Sequence, residues 1–404
     1  MKATILFLMD AFRWDYLDPT VTPFLSQSAT EGHHYRRVIP SFGFCERAEI
    51  LTGKPPRETG YFTAIGFNPE RSPYRNLNPL LKGVEGSEKF IPITIYSRVV
   101  RRLLRMFVNS RPHGMAPYKI PYRFLPYFAL TEDYFDHRDD RAFDCESVLD
   151  LLKQRGQTCF YDSFTALNMP FDGDDPIRLE RALAAADQGH SLYLIYLSSP
   201  DAFGHKWGPH STELRKELSQ MDSKLKSFVH EFSLRRPGSS FVFLGDHGMT
   251  KVEKRIDIQT EVRWVAKKLG FQEGKDYLYF LDSTLCRIWF FRPEVEYSLS
   301  RALRALSVFQ TYGSFVTQEI ADREGVPFRD KRYGDLVWWT NPGVMISPDF
   351  FHLPDQQTKG MHGYDPGHDD SQGTCIVSGA QHPPMSTSSI RLTEVNQILR
   401  ECLS

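Results

Sequence analysis

Three short apolar runs constrain this chain more than any other feature: residues 3–9 (ATILFLM), 192–197 (LYLIYL) and 240–244 (SFVFL). Each is followed within four residues by an aspartate, respectively Asp10, Asp201 and Asp246. Runs this short, rich in branched and aromatic residues, predict buried strands rather than helices. Being apolar on both faces, they predict central strands of a parallel sheet. Helical patterns alternate with them. Residues 22–32 open with Thr-Pro and close on Gly. Residues 177–186 are amphipathic, and 212–232 carry Leu214, Leu218, Met221, Leu225 and Val229 at helical spacing. The expected fold class is therefore α/β, a mostly parallel central sheet flanked by helices on both faces. Ligands in such sheets gather outside the carboxyl ends of the strands, so the three aspartates are expected to converge on one edge.

A chain of 404 residues has room for two or three domains. The strand–helix alternation instead favours a single catalytic domain over 1–404, enlarged by inserted cap segments. Residues 66–145 form one expected cap, rich in Pro, Arg and aromatics. Within it, 98–107 (RVVRRLLRMF) alternates basic and apolar residues at helical spacing, and 118–128 (YKIPYRFLPYF) is dense in aromatics. A smaller αβ insertion is expected over 251–345, with 288–291 (IWFF) as a strand.

The aspartates have imidazole neighbours. His205 follows Asp201 by four residues, His247 adjoins Asp246, and His362 sits in the glycine-rich stretch 360–365 (GMHGYD). Singly, each has a plain reading as a cap, turn or core residue. Together, three carboxylates and three imidazoles at one sheet edge suit two Zn²⁺ ions with three protein ligands each, and Mn²⁺ fits the same donors. Without cations so many carboxylates at one place would repel. Two such metals can clamp the attacking and leaving oxygens of an in-line displacement at phosphorus.

The motifs around these residues resemble the alkaline phosphatase superfamily, most closely its type I phosphodiesterase/nucleotide pyrophosphatase branch. They are P-D-x-x-G-H-x-x-G-P at 200–209, G-D-H-G-M at 245–249, H-G-Y-D at 362–365, T-P-x-L at 22–25 and L-T-G at 51–53. The resemblance implies one metal held by Asp201, His205 and His362 and a second held by Asp10, Asp246 and His247. It also implies a metal-dependent phosphohydrolase, a phosphodiesterase or pyrophosphatase more than a monoesterase. One position departs. The family's Thr or Ser nucleophile falls, on an ungapped count back from Thr52-Gly53, on Gly43, with Phe44 matching the usual aromatic. Ser41 and Cys45 are the neighbouring nucleophile candidates, and a metal-bound hydroxide is the third option. Glu46 replaces a common Asn beside the phosphoryl oxygens, which disfavours a dianionic monoester. The rival readings are a phospholigand-binding pseudoenzyme and a sulfatase-like or phosphonate hydrolase-like esterase. Cys45-Glu46-Arg47 does not give the sulfatase signature.

The expected partner is a small phosphodiester or nucleotide-linked substrate, with a lipid-linked one as a further option. A formal net charge of -1 predicts no general attraction to nucleic acid. Six scattered cysteines without a CxxC pair, no signal-peptide pattern and no apolar stretch of membrane-spanning length set cytoplasmic as the expected location.

Overall fold

The Thr4–Met9 strand is buried along its whole length and lies between two equally buried parallel partners. The structure, a computed structural model, describes residues 2–77, 81, 93–109, 115–131, 143–162, 174–352, 357–379 and 383–404. In the register, Met9 stands opposite Leu197, and Leu8 opposite Leu244. All three strands therefore end at the same level, and the residues that follow them meet at one edge. Cys159–Asp162 adds a further parallel strand beside Leu192–Leu197. On the other flank come Gly373–Ser378, His33–Ile39, Met385–Thr387 and Ile390–Arg391, completing an eight-stranded sheet.

The sheet is mostly parallel, as expected, but Gly373–Ser378 runs antiparallel to both of its neighbours. The reason is its starting point. The chain enters it from the loop carrying His362, at the carboxyl edge of the parallel strands, so it must run back across the sheet. His33–Ile39 (HHYRRVI) carries no apolar alternation and was not anticipated from the sequence. Its place is set by pairing on both sides.

Alternating side chains divide between two helical layers. Ile5, Phe7 and Met9 pack with Leu25, Leu179, Leu214 and Leu225, from helices Pro23–Glu31, Asp175–Ala184 and Thr212–Arg235. Leu6 and Leu8 face Ile50, Leu152, Val395 and Leu399, from helices Glu46–Thr52, Val148–Gln154 and Val395–Cys402. The Thr212–Arg235 helix starts where Ser211 accepts the Leu214 N–H. Its stripe drifts with length, so Phe228, not the expected Val229, is the buried residue of that turn.

A second, four-stranded antiparallel sheet is built from Tyr277–Leu281, Leu285–Phe290, Leu336–Thr340 and Gly313–Phe315. It shares one core with described parts of the 66–145 stretch: Tyr74, Leu104, Tyr122, Phe124 and Phe128 pack with Tyr279, Trp289 and Phe350. Fully buried Arg287 ties them together, donating to Asp282 at 2.7 Å and to the Ile65 carbonyl at 2.9 Å. Residues 78–80, 82–92, 110–114 and 132–142 of that stretch lie outside the described residues. None of the six cysteines is in a disulfide. Among the described residues no helix is long and apolar enough to cross a membrane.

Candidate metal centre

The six residues singled out from the sequence come together in two trios at the carboxyl edge of the sheet. Asp201, His205 and His362 form one, and Asp10, Asp246 and His247 the other; within each, one potential ligand atom per residue lies within 4.8 Å of the rest. The trios adjoin, because the His247 and His362 rings stack with centroids 4.2 Å apart.

Local structure aims each side chain. Asp201 and His205 do not sit in a turn, the plain reading open to each of them singly. They lie on the Ser199–Trp207 helix with Pro200 in its first turn. Four residues apart, they share a face, and His205 Nε2 is 3.1 Å from Asp201 Oδ1. His205 Nδ1 donates to the Gly360 carbonyl at 2.8 Å. That bond leaves Nε2 free to act as a lone-pair donor. His247 repeats the device, with Nδ1 on the Gly248 carbonyl at 2.9 Å and Nε2 at 3.1 Å from Asp10 Oδ1. Asp246 Oδ1 accepts the Ala11 N–H at 3.2 Å and the His247 N–H at 3.0 Å. Ala11 adopts φ 56°, a left-handed conformation uncommon for a non-glycine residue. Gly245 cannot be replaced here, since a Cβ would lie 2.0 Å from the Phe12 carbonyl oxygen.

The electrostatics are those of a site short of positive charge. Burial pushes Asp246 up to about 7 despite the pull of His247, with Asp10 and Glu46 adding to the rise. Burial would also raise Asp10, but its hydrogen bond to His247 and the charges of His247 and Arg47 hold it below the usual range. Burial opposes the charged form of His247, yet Asp246, Asp10 and Glu46 hold its pKa well above the ordinary value. His362 goes the other way. Burial, with His247 and His205 beside it, keeps it neutral, the form in which imidazole coordinates a metal. Asp201 Oδ1 is 3.5 Å from His362 Nε2, yet neither Asp201 Oδ1 nor His362 Nδ1 makes a hydrogen bond of good geometry, and both atoms are buried. Buried polar atoms without partners are costly. Crowded carboxylates, neutral imidazole and unsatisfied donor atoms together fit divalent cations.

The sequence reading missed four residues around the trios. Tyr196 donates its hydroxyl to Asp10 Oδ2, and Arg47 lies over its ring at 4.8 Å. Tyr196 looked like one more core residue of a buried strand. Asp349 accepts from His352 Nδ1 at 2.8 Å and from the Ser283 hydroxyl at 2.8 Å. The His352 ring is 6.1 Å from that of His205. No motif marks this group, because Ser283 and Asp349 come from distant parts of the chain.

The nucleophile candidates are placed as follows. Gly43 has φ +129°, and a Cβ there would stand 2.3 Å from the Phe62 carbonyl oxygen. The same carbonyl accepts the Phe44 N–H at 2.9 Å. Cys45, the residue just before the Glu46–Thr52 helix, is buried against Ala48 and Tyr61. Ser41 lies beside the carboxyl of Glu49, which burial pushes well above its ordinary range. Phe44 meets the His362 ring edge-on at 5.7 Å.

The profile of the type I phosphodiesterase / nucleotide pyrophosphatase family matches residues 4–365. The chain belongs to that family. Human ectonucleotide pyrophosphatase/phosphodiesterase family member 1 is 23% identical over 257 residues, covering 61% of this chain and 23% of the relative. The rat family member 7 is 23% identical over 260 residues, covering 62% of this chain and 51% of the relative. A shorter match, 34% over 92 residues, links it to the catalytic subunit of human GPI ethanolamine phosphate transferase 3, covering 22% of this chain and 8% of that protein. The matches thus span well under two thirds of these curated relatives. Among solved structures, human ectonucleotide pyrophosphatase/phosphodiesterase 5 superposes with a TM-score of 0.69 at 17% identity, covering 100% of this chain and 95% of that one. The murine protein, solved as an inactive threonine-to-alanine variant in complex with AMP, agrees equally well. The resemblance read from the motifs at 200–209, 245–249 and 362–365 is borne out for family and fold.

Proposed function

We propose that this phosphodiesterase-family chain is a divalent-metal-dependent hydrolase of phosphodiester or pyrophosphate bonds, working at the two Asp/His trios. The adjoining trios, joined through the stacked His247 and His362 rings, carry the reading. Asp201, His205 and His362 would hold one cation and Asp10, Asp246 and His247 the other, with Zn²⁺ suited to the nitrogen and oxygen donors and Mn²⁺ also accepted. Bound there, a pair of such ions supplies Lewis-acid polarisation of the phosphoryl oxygens and acidifies attacking water. The binding of AMP by the murine relative supports a nucleotide-linked diester as substrate class.

Water, rather than a side chain, is the attacking group in this proposal. Gly43 leaves no room for a hydroxyl at the family's usual position. Cys45 is committed to an apolar cluster and Ser41 to the surroundings of Glu49. Glu46 sets a further carboxyl beside Asp10 and Asp246, and burial pushes it up although His247 pulls it down, so added negative charge at this site is costly. That favours a singly charged diester over a monoester dianion. The described part of 66–145 is assigned to the leaving-group side, as a cap. Six cysteines without a disulfide among them support a reducing compartment, and the cytoplasm is our assignment.

The test combines a chromogenic diester assay in Zn²⁺ or Mn²⁺ with the stereochemistry of cleavage, in oxygen-isotope-labelled water, of an isotopically labelled thiophosphate diester of known configuration. Ser41→Ala and Cys45→Ala are expected to keep turnover within about threefold of the parent, since neither touches the reacting atoms. Direct attack by water inverts configuration at phosphorus. Retention, or loss of turnover in either variant, would show a covalent intermediate. No turnover with any metal would favour the binding-protein reading.

Tyr196→Phe removes only the hydroxyl that orients Asp10. Groups that orient metal ligands are worth about 10–100-fold in metal affinity or activity. Isothermal titration with Zn²⁺ is expected to show a loss in that range for one of two sites. Equal affinities in parent and variant would remove Tyr196 from the site.

A further inference from the structure

The Ile93–Asn109 helix contains four arginines and no acidic residue. Its inner side is fastened to the second core. Leu104 and Val108 are buried and Val100 packs beside them. Arg101 donates to the carbonyls of Pro117, Tyr118 and Ile120 at 3.0, 2.6 and 3.2 Å. The outer side is not the polar face that a surface helix usually turns to water. Val99, Leu103 and Met106 are 52%, 60% and 62% exposed, and at this spacing they form one stripe along successive turns. Arg102 and Arg105 are exposed on the flank of that stripe, and neither forms an ion pair with a described residue. An apolar stripe edged by arginines matches the interface of an anionic bilayer, where the stripe enters the acyl boundary and the guanidinium groups meet lipid phosphates. The overall charge of -1 provides no such attraction, so it must be local.

We infer that the Val99–Leu103–Met106 face of this helix, with Arg102 and Arg105, docks the protein on an anionic phospholipid surface. The position has a consequence for the candidate site. Tyr118, whose carbonyl Arg101 holds, packs its ring at 5.3 Å on Phe351, and Lys119 N–H donates to the Phe350 carbonyl at 2.8 Å. The next residue, His352, lies beside His205. The helix is therefore linked to the trio of Asp201, His205 and His362 through Tyr118 and the Phe350 to His352 segment. The docking does not depend on hydrolysis and is read separately from it.

The experiment is co-sedimentation of the full chain with vesicles of phosphatidylcholine alone or of equal parts phosphatidylcholine and phosphatidylglycerol. Binding is expected only to the anionic vesicles and is expected to fall as salt rises. The double variant Arg102→Ala/Arg105→Ala should bind roughly thirty-fold more weakly, two surface arginines each contributing about fivefold. Leu103→Glu/Met106→Glu should not sediment, while its thermal unfolding matches the parent, since both positions are exposed. Failure of the parent chain to sediment with anionic vesicles would overturn the inference. So would sedimentation unaffected by both variants, or a dimer in size-exclusion chromatography that Leu103→Glu converts to monomer.

Discussion

Asp246→Ala is expected to lower kcat/KM for a diester on the order of 10³-fold, the scale lost when a group stabilising transition-state charge is removed. It is also expected to leave one tightly bound metal where the parent is expected to hold two. Asp246 is the sharpest choice because it does two things. Its carboxylate is one of the two in the trio with His247, and its Oδ1 gathers the Ala11 and His247 N–H groups that shape the strand end. Alanine removes both functions. Asp246→Asn keeps an oxygen for those two N–H donors and removes only the charge. If the charge is what the site needs, the asparagine variant should lose activity nearly as fully, with unfolding close to the parent's. Metal content by mass spectrometry and steady-state kinetics on purified protein decide it. Full activity in Asp246→Asn would mean that the trio does not hold a catalytic cation.

Gly43→Thr, which restores the family's usual residue, is expected to destabilise the fold by about 2–5 kcal/mol and not to raise activity. A left-handed backbone costs a β-carbon roughly 1–2 kcal/mol, and forcing atoms into packed space costs about 1–3 kcal/mol more. Both apply at Gly43, with φ +129° and the Phe62 carbonyl oxygen 2.3 Å from the Cβ position. The carbonyl cannot move freely because it holds the Phe44 N–H. Urea unfolding of the two proteins measures the cost. A threonine variant as stable as the parent, with faster turnover, would mean that the loop can rebuild a side-chain nucleophile and that attack by water is wrong. The two results bear on different links: Asp246 tests whether the cations matter, Gly43 whether the loop is built around having no nucleophile.

Much of the centre was legible before any fold was known. Asp10, Asp201 and Asp246 follow buried apolar runs, and a parallel sheet brings the ends of such runs to one edge. His205 and His247 ride on the same segments. His362 was readable only through its motif, since nothing local places 360–365 near the sheet; pairing of Gly360–Met361 with Thr250–Lys251 does that. The role of Tyr196 was hidden because alternate residues of the LYLIYL strand look alike and only one hydroxyl reaches Asp10. The Asp349–His352–Ser283 group was hidden because its members are joined by loop packing, which leaves no periodic trace. The helical setting of Asp201 was not legible, since proline and two glycines suit a turn as well as a first helical turn begun by Pro200.

By itself, then, the sequence determined the sheet's central strands, its two helical layers and the identity of the six clustered residues. These follow from local periodicity and from the general geometry of parallel sheets, and both are properties of short stretches. The tertiary structure alone decided that Gly373–Ser378 runs backward and that the described parts of 66–145 share one core with the second sheet. It alone decided that Gly43 is sealed by Phe62 and that the Ile93–Asn109 helix leaves an apolar stripe uncovered. Each of these depends on which distant backbone or side chain arrives at a given point, and residues far apart in the chain carry no local record of that meeting.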